Sequence, residues 1–142
     1  MGREHVNRHL AGIDFSTLTH ADSISMLRKI LDNKIFGISF SPYMDGQEPG
    51  SVISKEQIVQ RLKIIAPYTD WIRTFSCVEG NEHIPAIAKA HNLHTMVGVC
   101  ISDDRDKNEI ELNTGIEIAR QGDADILAIG NEVMLRGELT ED

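Results

Sequence analysis

The sequence has few cysteines, no long apolar run and no excess of positive charge. Cys77 and Cys100 are the two cysteines among 142 residues, and their spacing matches no zinc motif, so free thiols are predicted. No segment approaches the ~20 apolar residues of a membrane span, and the start "MGREHVNRHLAG" lacks the apolar part of a signal peptide. A formal charge of -8 argues against nucleic acid or an anionic membrane as a partner, because both would repel it.

What is present is an ordinary globular composition, with 41% hydrophobic and 25% charged residues, in a chain long enough for one domain. Four short apolar segments rich in strand formers predict strands at 35–40, 70–76, 94–101 and 125–130. Apolar residues at helical spacing predict helices between them, at 54–66, 81–92 and 103–121. This alternation is typical of parallel strands joined by right-handed helical crossovers.

The chain divides by pattern into two parts. Residues 1–34 are predicted to be an amino-terminal extension with one short amphipathic helix, with Asp22 or Ser23 as its N-cap. Residues 35–142 contain the regular alternation of strands and helices and are predicted to form the functional domain.

Two architectures fit such alternation, namely an open doubly wound sheet and part of an eight-stranded barrel. The turn after the first strand reads "SFSPYMDGQEPG", which is neither the glycine-rich dinucleotide fingerprint nor a P-loop. A barrel places its functional residues at the carboxyl ends of the strands, and polar residues follow every predicted strand here. Because a whole barrel takes at least about 200 residues, we predict strands one to four of a (β/α)8 barrel.

The strand ends carry the candidate site. Tyr43 follows the first strand, Arg73 and Phe75 lie at the end of the second, and Asn131 and Glu132 follow the fourth. A guanidinium, an amide, a carboxylate and aromatic rings at one rim would suit a polyhydroxylated substrate. Arg73 lies inside the apolar "WIRTF", where an unpaired charge would be costly. Asn131 and Glu132 could instead be the cap of the next turn.

Metal ligands occur only in incomplete sets. The run that starts at Asp104 resembles the opening of a calcium loop, but Glu109 stands where that loop requires glycine. Two histidine pairs also lack a third convergent ligand: His5 with His9, and His91 with His94. We therefore expect no metal and no other cofactor.

Four strand motifs together carry a family resemblance. "ILAIGNEV" is similar to the fourth-strand motif of glycoside hydrolase family 17, the β-1,3-glucanase-type barrels, in which Gly-Asn-Glu-Val contains the general acid/base glutamate. "FGISFSPY", "WIRTFSC" and "TMVGVCI" resemble the first three strands of that family, in the same order over residues 35–139. The resemblance implies a retaining enzyme that acts on β-glucan, most often β-1,3-linked.

The resemblance also implies residue roles. Glu132 would be the general acid/base, Asn131 would bind the sugar 2-hydroxyl, and Arg73 would orient the nucleophile. Tyr43 and Phe75 would line or support the same site.

The family's nucleophile lies at the end of strand seven, which is not among the four strands predicted here. We therefore expect the chain to be the amino-terminal half of a longer enzyme and to be inactive alone. The alternatives are a non-catalytic half-barrel that binds sugar or protein, and a homodimer that completes a barrel through its exposed edges. Without an export signal the chain is expected in the cytoplasm as written, although family members often act outside the cell or in the cell wall.

Overall fold

The computed structural model describes residues 12–137. Over these residues the chain forms five α-helices and four β-strands, in the order α1 His20–Asp32, β1 Ile35–Ser39, α2 Lys55–Ile65, β2 Thr69–Arg73, α3 Ile84–Ala90, β3 His94–Val99, α4 Arg105–Arg120, β4 Ile126–Ile129 and α5 Val133–Arg136. Short 3-10 turns lie at Phe15–Thr17, Ala66–Tyr68 and Asn81–His83. Within the described part of the chain, no helix combines the length and the apolar character needed to cross a membrane.

The four strands form one parallel sheet in the order β1-β2-β3-β4. Its register aligns Ser39 with Arg73, Arg73 with Met96, and Met96 with Ile126, so these four side chains share one face. A doubly wound sheet would reverse its strand order at a switch point, whereas this order is sequential, as in a barrel wall. The predicted alternation and parallel pairing are therefore confirmed, and β1 and β4 are the two edges of the described sheet.

Helices α2, α3 and α4 cover one face of the sheet with two apolar clusters. The first cluster joins α2 and α3 to β1 and β2, and its buried members include Ile58, Leu62, Ile72, Ile84 and Phe40. The second joins α4 to β3 and the turn after β2, through Cys77, Val97, Val99 and Ile118. These clusters hold the strands in order and leave the carboxyl ends of the strands free for polar groups.

The helix starts agree only in part with the sequence prediction. Thr19, and neither Asp22 nor Ser23, is the N-cap of α1. Asp22 is the third helical residue and closes a capping box with Thr19, which explains why its position resembled a cap. Ser54, where the predicted helix 54–66 begins, is the N-cap of α2 and accepts a hydrogen bond from the backbone N–H of Gln57 at 3.2 Å.

The side chain of Gln57 has another function in the fold. It donates to the carbonyl oxygen of Pro42 at 2.8 Å and to Oε1 of Gln47 at 2.6 Å. It therefore fastens the long loop after β1 to the start of α2.

The isoleucines of α2 provide a matched test of the core. Ile58 is fully buried and Ile64 is 60% exposed on the same helix. We expect Ile58→Ala to lower the free energy of unfolding by about 2–5 kcal/mol, because it leaves a cavity, and Ile64→Ala to change it by less than about 1 kcal/mol. Urea unfolding followed by circular dichroism would measure the two changes, and equal losses would contradict this view of the core.

Asp125, just before β4, gives the stability a dependence on pH. Its carboxylate accepts the Thr95 N–H at 2.8 Å and meets Nδ1 of His94 at 3.0 Å. These two bonds, the Thr95 bond most, hold the pKa of Asp125 below its ordinary value of 3.8. A lowered pKa means that the stabilisation is complete above the ordinary value and is lost as the pH falls through the folded-state value.

We therefore expect Asp125→Asn to destabilise the protein near neutral pH, with a difference from the wild type that shrinks as the pH falls below 3.8. Unfolding in urea at a series of pH values would measure the difference. Asp45→Asn, in the exposed loop after β1, is the control and should follow the wild-type curve. A difference between Asp125→Asn and the wild type that is constant with pH would contradict the prediction.

Candidate active site

Arg73, the last residue of β2, connects the ends of two strands that are not neighbours. Its Nη2 donates a hydrogen bond of 2.6 Å to Oδ1 of Asn131, which follows β4. The guanidinium also lies over the ring of Phe75, with Cζ 5.1 Å from the ring centroid. Three predicted site residues, 58 positions apart along the chain at the widest, thus meet at one place.

Gly98 on β3 makes this meeting possible. A Cβ at residue 98 would lie 2.3 Å from the carbonyl oxygen of Thr74 and 2.8 Å from Cα of Phe75. The backbone therefore crosses close to β3 directly after Arg73, and only glycine leaves room for it. Thr74 fixes the crossing, since its N–H donates to Met96 at 3.0 Å and its Oγ1 accepts from the Gly98 N–H at 3.1 Å. The predicted second strand, 70–76, is accordingly three residues too long at its carboxyl end.

Glu132 occupies an unusual backbone conformation beside Asn131. Its φ of 54° lies in the left-handed region, and Gly130 two residues earlier has φ 79°. A non-glycine residue rarely adopts this conformation, and such residues cluster at functional sites. The Glu132 side chain is exposed, and it has no hydrogen bond or ion pair with any residue of the described range 12–137.

The structure excludes a purely capping role for this pair. Glu132 stands at the N-cap position of α5, but its side chain accepts no backbone N–H of that helix. The Asn131 side chain accepts from Arg73 instead. Neither side chain therefore caps the next turn.

Arg136, in the last turn of α5, was not predicted as a site residue. Its Nη2 donates to the carbonyl oxygen of Ile101 at 2.8 Å, and its Nη1 donates to the carbonyl oxygen of Asn131. It therefore ties the segment after β3 to the segment after β4. The sequence offered only a weak signal for this, a cation in the last turn of a four-residue helix.

Glu111 of α4 was also not predicted as a site residue. In the structure it is 4% exposed and is hydrogen-bonded at the rim. Its carboxylate accepts from Oγ of Ser76 at 2.5 Å, from the Cys77 N–H at 2.8 Å and from the Cys100 N–H at 3.3 Å. Burial, followed by the negative charge of Glu111, raises the pKa of the Cys77 thiol to about 12. This thiol therefore stays protonated and is not a candidate nucleophile.

Tyr43 is the one predicted site residue that lies apart. It packs against the apolar cluster of α2 and α3, and its carbonyl oxygen accepts from Nη2 of Arg61 at 3.3 Å. It helps to line a cavity of about 250 Å³ beside β1. No hydrogen bond or ring contact joins Tyr43 to Arg73 or Asn131 in the described part of the chain.

The described residues contain no group of three or more His, Cys, Asp or Glu side chains that could hold a metal ion. Arg73 also has a buried donor, its Nε, with no hydrogen-bond partner within residues 12–137. The arrangement thus offers a fixed positive charge, an oriented amide and an exposed carboxylate at the carboxyl ends of parallel strands.

Comparison with known proteins decides the fold. No protein-family model and no curated protein matches the sequence. Two solved structures do match, both of β-1,3-glucanosyltransferase from Rhizomucor miehei: the glycoside hydrolase family 17 enzyme, and an active-site mutant in complex with laminaritriose. Each has a TM-score of 0.61 and 23% identity, covering 77% of this chain and 41% of the other. The chain folds as part of a (β/α) barrel.

The partial barrel spans less than half the length of those two structures. The predicted fold, a parallel barrel fragment, is therefore confirmed, and the strand motifs had identified the family to which its structural neighbours belong. At 23% identity the match shows a shared fold. What this partial barrel binds must be argued from its own residues.

Proposed function

We propose that the partial barrel carries the acid/base side of a retaining β-glucan site of the glycoside hydrolase family 17 type, with Glu132 as general acid/base. The hydrogen bond between Arg73 and Asn131 carries this proposal, because it assembles polar groups at the ends of β2 and β4 next to an exposed glutamate that has no partner among residues 12–137. They lie at the carboxyl ends of the strands, where barrel enzymes have their active sites.

The chemistry assigned to Glu132 uses both of its protonation states. In the first step the protonated carboxyl gives its proton to the glycosidic oxygen as the bond to the anomeric carbon breaks. A second carboxylate about 5–5.5 Å away attacks that carbon and forms a glycosyl-enzyme intermediate. Glu132, now ionised, then takes a proton from water or from a sugar hydroxyl. The oxygen of that water or hydroxyl attacks the anomeric carbon, and the bond to the second carboxylate breaks.

The Arg73 contact sets the orientation of the Asn131 amide. Arginine has no hydrogen-bond acceptor, so the amide must turn its oxygen toward Nη2, at 2.6 Å, and its NH2 group away. The two remaining N–H donors are then available for a sugar hydroxyl. A hydrogen bond to the 2-hydroxyl strengthens as positive charge develops at the ring and so favours the transition state.

Arg73 and Phe75 support the same site in different ways. The Arg73 guanidinium places a fixed positive charge at the strand ends, which suits it to orient the second carboxylate and to keep it ionised. Phe75 is 39% exposed, so part of its ring is open to the apolar face of a sugar. Tyr43 stays in the proposal only as a residue of a neighbouring subsite, because it follows β1 at the same edge of the sheet.

The proposed substrate is a β-1,3-linked glucan, since an active-site mutant of the structurally similar β-1,3-glucanosyltransferase is in complex with laminaritriose. The second carboxylate would come from strand seven of a complete barrel, as the family resemblance implies. We therefore propose that this chain binds laminari-oligosaccharides weakly and does not turn them over by itself.

Sugar binding by the 142-residue chain tests the substrate class. We expect laminaritriose to bind with a Kd near the millimolar range, about -4 kcal/mol, because only part of a cleft is present. Asn131→Ala should weaken binding about fivefold, the loss of one hydrogen bond, as measured by NMR titration. Asn113→Ala, on an exposed position of α4, is the matched control and should bind like the wild type. Two results would count against the proposal. One is no binding at a laminaritriose concentration of about tens of millimolar. The other is equal affinity for maltotriose.

Turnover tests the role of Glu132. The test uses a chimera in which this chain is followed by strands five to eight of the structurally similar glucanosyltransferase. In it, Glu132→Gln should lower kcat by about 10²–10⁴-fold, the usual contribution of a general acid/base, with little change in KM. Product analysis from laminari-oligosaccharides would follow both hydrolysis and transfer. Glu109→Gln, on the exposed side of α4, is the control. Undiminished turnover by Glu132→Gln would remove the acid/base assignment.

A further inference from the structure

Glu111 closes a ring of contacts around the carboxyl ends of β2, β3 and β4. From Glu111 the ring runs through Ser76 and Phe75 to Arg73, from there through Asn131 and Arg136 to the carbonyl of Ile101, and back through Cys100 to Glu111. Each step is a hydrogen bond, a ring contact or a peptide link. The proposed site residues thus form one side of the ring, and a buried carboxylate forms the other.

The inner part of the ring is built on backbone donors. The Cys77 N–H follows β2 and the Cys100 N–H follows β3, and both donate to Oε2 of Glu111, at 2.8 Å and 3.3 Å. Neither donor is used in the ladder between strands, because the strands have ended. A carboxylate that accepts several N–H groups away from water forms strong, directional bonds. Glu111 therefore sets the spacing of the two strand ends.

The outer part of the ring transmits that spacing to the site. Arg136 joins the carbonyls of Ile101 and Asn131, so the segment after β3 determines where the segment after β4 lies. Asn131 then receives Arg73. Glu132 lies between this asparagine and α5, and its carbonyl oxygen accepts from the Arg136 N–H at 2.9 Å.

Burial of a carboxylate on the inner side of a helix costs desolvation free energy, and an apolar side chain of similar size would often stabilise the fold as well or better. Glu111 shares the buried side of α4 with Gly115 and Ile118. Because Gly115 leaves room for Val99 and Leu127 to pack against the helix, apolar packing at this surface is already available. The polar contacts of Glu111, all at the rim of the site, therefore indicate a role other than core stability.

We infer that Glu111 is a positioning residue of the proposed site: from the buried side of α4 it sets the geometry of the Arg73 and Asn131 pair without touching the sugar. This inference rests on the proposed function for its consequence in binding. Its structural part is the coupling between Glu111 and the Arg73–Asn131 hydrogen bond, and this part can be tested without any sugar.

The first experiment measures the coupling in the free 142-residue chain. The chemical shifts of the Arg73 guanidinium and of the Asn131 side-chain amide depend on the hydrogen bond between them. We expect them to shift in Glu111→Ala and to stay in place in Glu109→Ala, the exposed control two residues earlier. Unchanged signals in a folded Glu111→Ala variant would overturn the inference.

Glu111→Gln separates hydrogen bonding from charge. Its amide oxygen can accept the two backbone N–H groups while its NH2 donates to Oγ of Ser76, because a serine hydroxyl can accept as well as donate. We therefore expect Glu111→Gln to restore the wild-type signals. A Glu111→Gln variant that resembles Glu111→Ala would contradict positioning through these bonds.

Ser76→Ala keeps the experiment decisive if Glu111→Ala does not fold. It removes the 2.5 Å bond to the carboxylate and leaves both backbone donors in place. We expect the chemical shift of the Arg73 guanidinium to change in Ser76→Ala, by less than in a variant that lacks the whole carboxylate. An unmoved Arg73 signal in Ser76→Ala would then overturn the inference.

The second experiment measures laminaritriose affinity in the same variants. We expect Glu111→Ala to weaken binding by roughly twofold to thirtyfold, the range for residues that act through packed networks, and Glu111→Gln to bind like the wild type. Equal affinity in wild type and folded Glu111→Ala would overturn positioning. If the wild type itself does not bind, the proposed function fails, while the NMR shifts still decide whether Glu111 sets the Arg73–Asn131 geometry.

Discussion

The hydrogen bond from Arg73 to Asn131 joins β2 to the segment after β4 across the intervening strand β3. A bond of 2.6 Å between a charged donor and an amide oxygen is strong only if both side chains are held in place before it forms. The surrounding structure supplies that order: Gly98 lets the chain after Arg73 cross close to β3, and Arg136 holds the backbone of Asn131. The candidate site depends on this one contact.

The partial barrel also explains why the described sheet has two open edges and an incompletely covered face. Helices pack on one side of the sheet in two apolar clusters. Large apolar side chains remain exposed elsewhere, including Phe36 at 71% and Ile129 at 60%. In the structures that share the fold, the matched region is 41% of the chain. Surfaces that a complete barrel would bury are therefore open in the part described here.

Strand order and helix order were predictable because they follow from local periodicity. Alternating apolar runs and helical spacing predicted all four strands and the helices between them, and the predicted helix 54–66 begins at Ser54, the N-cap of α2. Errors fell at boundaries: Thr19 caps α1, and β2 ends at Arg73, where Gly98 lets the chain turn. A boundary set by a contact with a distant strand leaves no periodic signal in the segment itself.

The sequence by itself determined the residue types at the strand ends, and since parallel strands share one carboxyl edge, it also determined that Arg73, Asn131 and Glu132 lie at the same rim. Only the tertiary structure decided which of them touch, that Tyr43 lies apart, and that Glu111 and Arg136 belong to the same network. The reason is physical. Period and propensity act over a few neighbouring residues, whereas a hydrogen bond between side chains 58 positions apart depends on the packing of the strands and helices that hold its two ends.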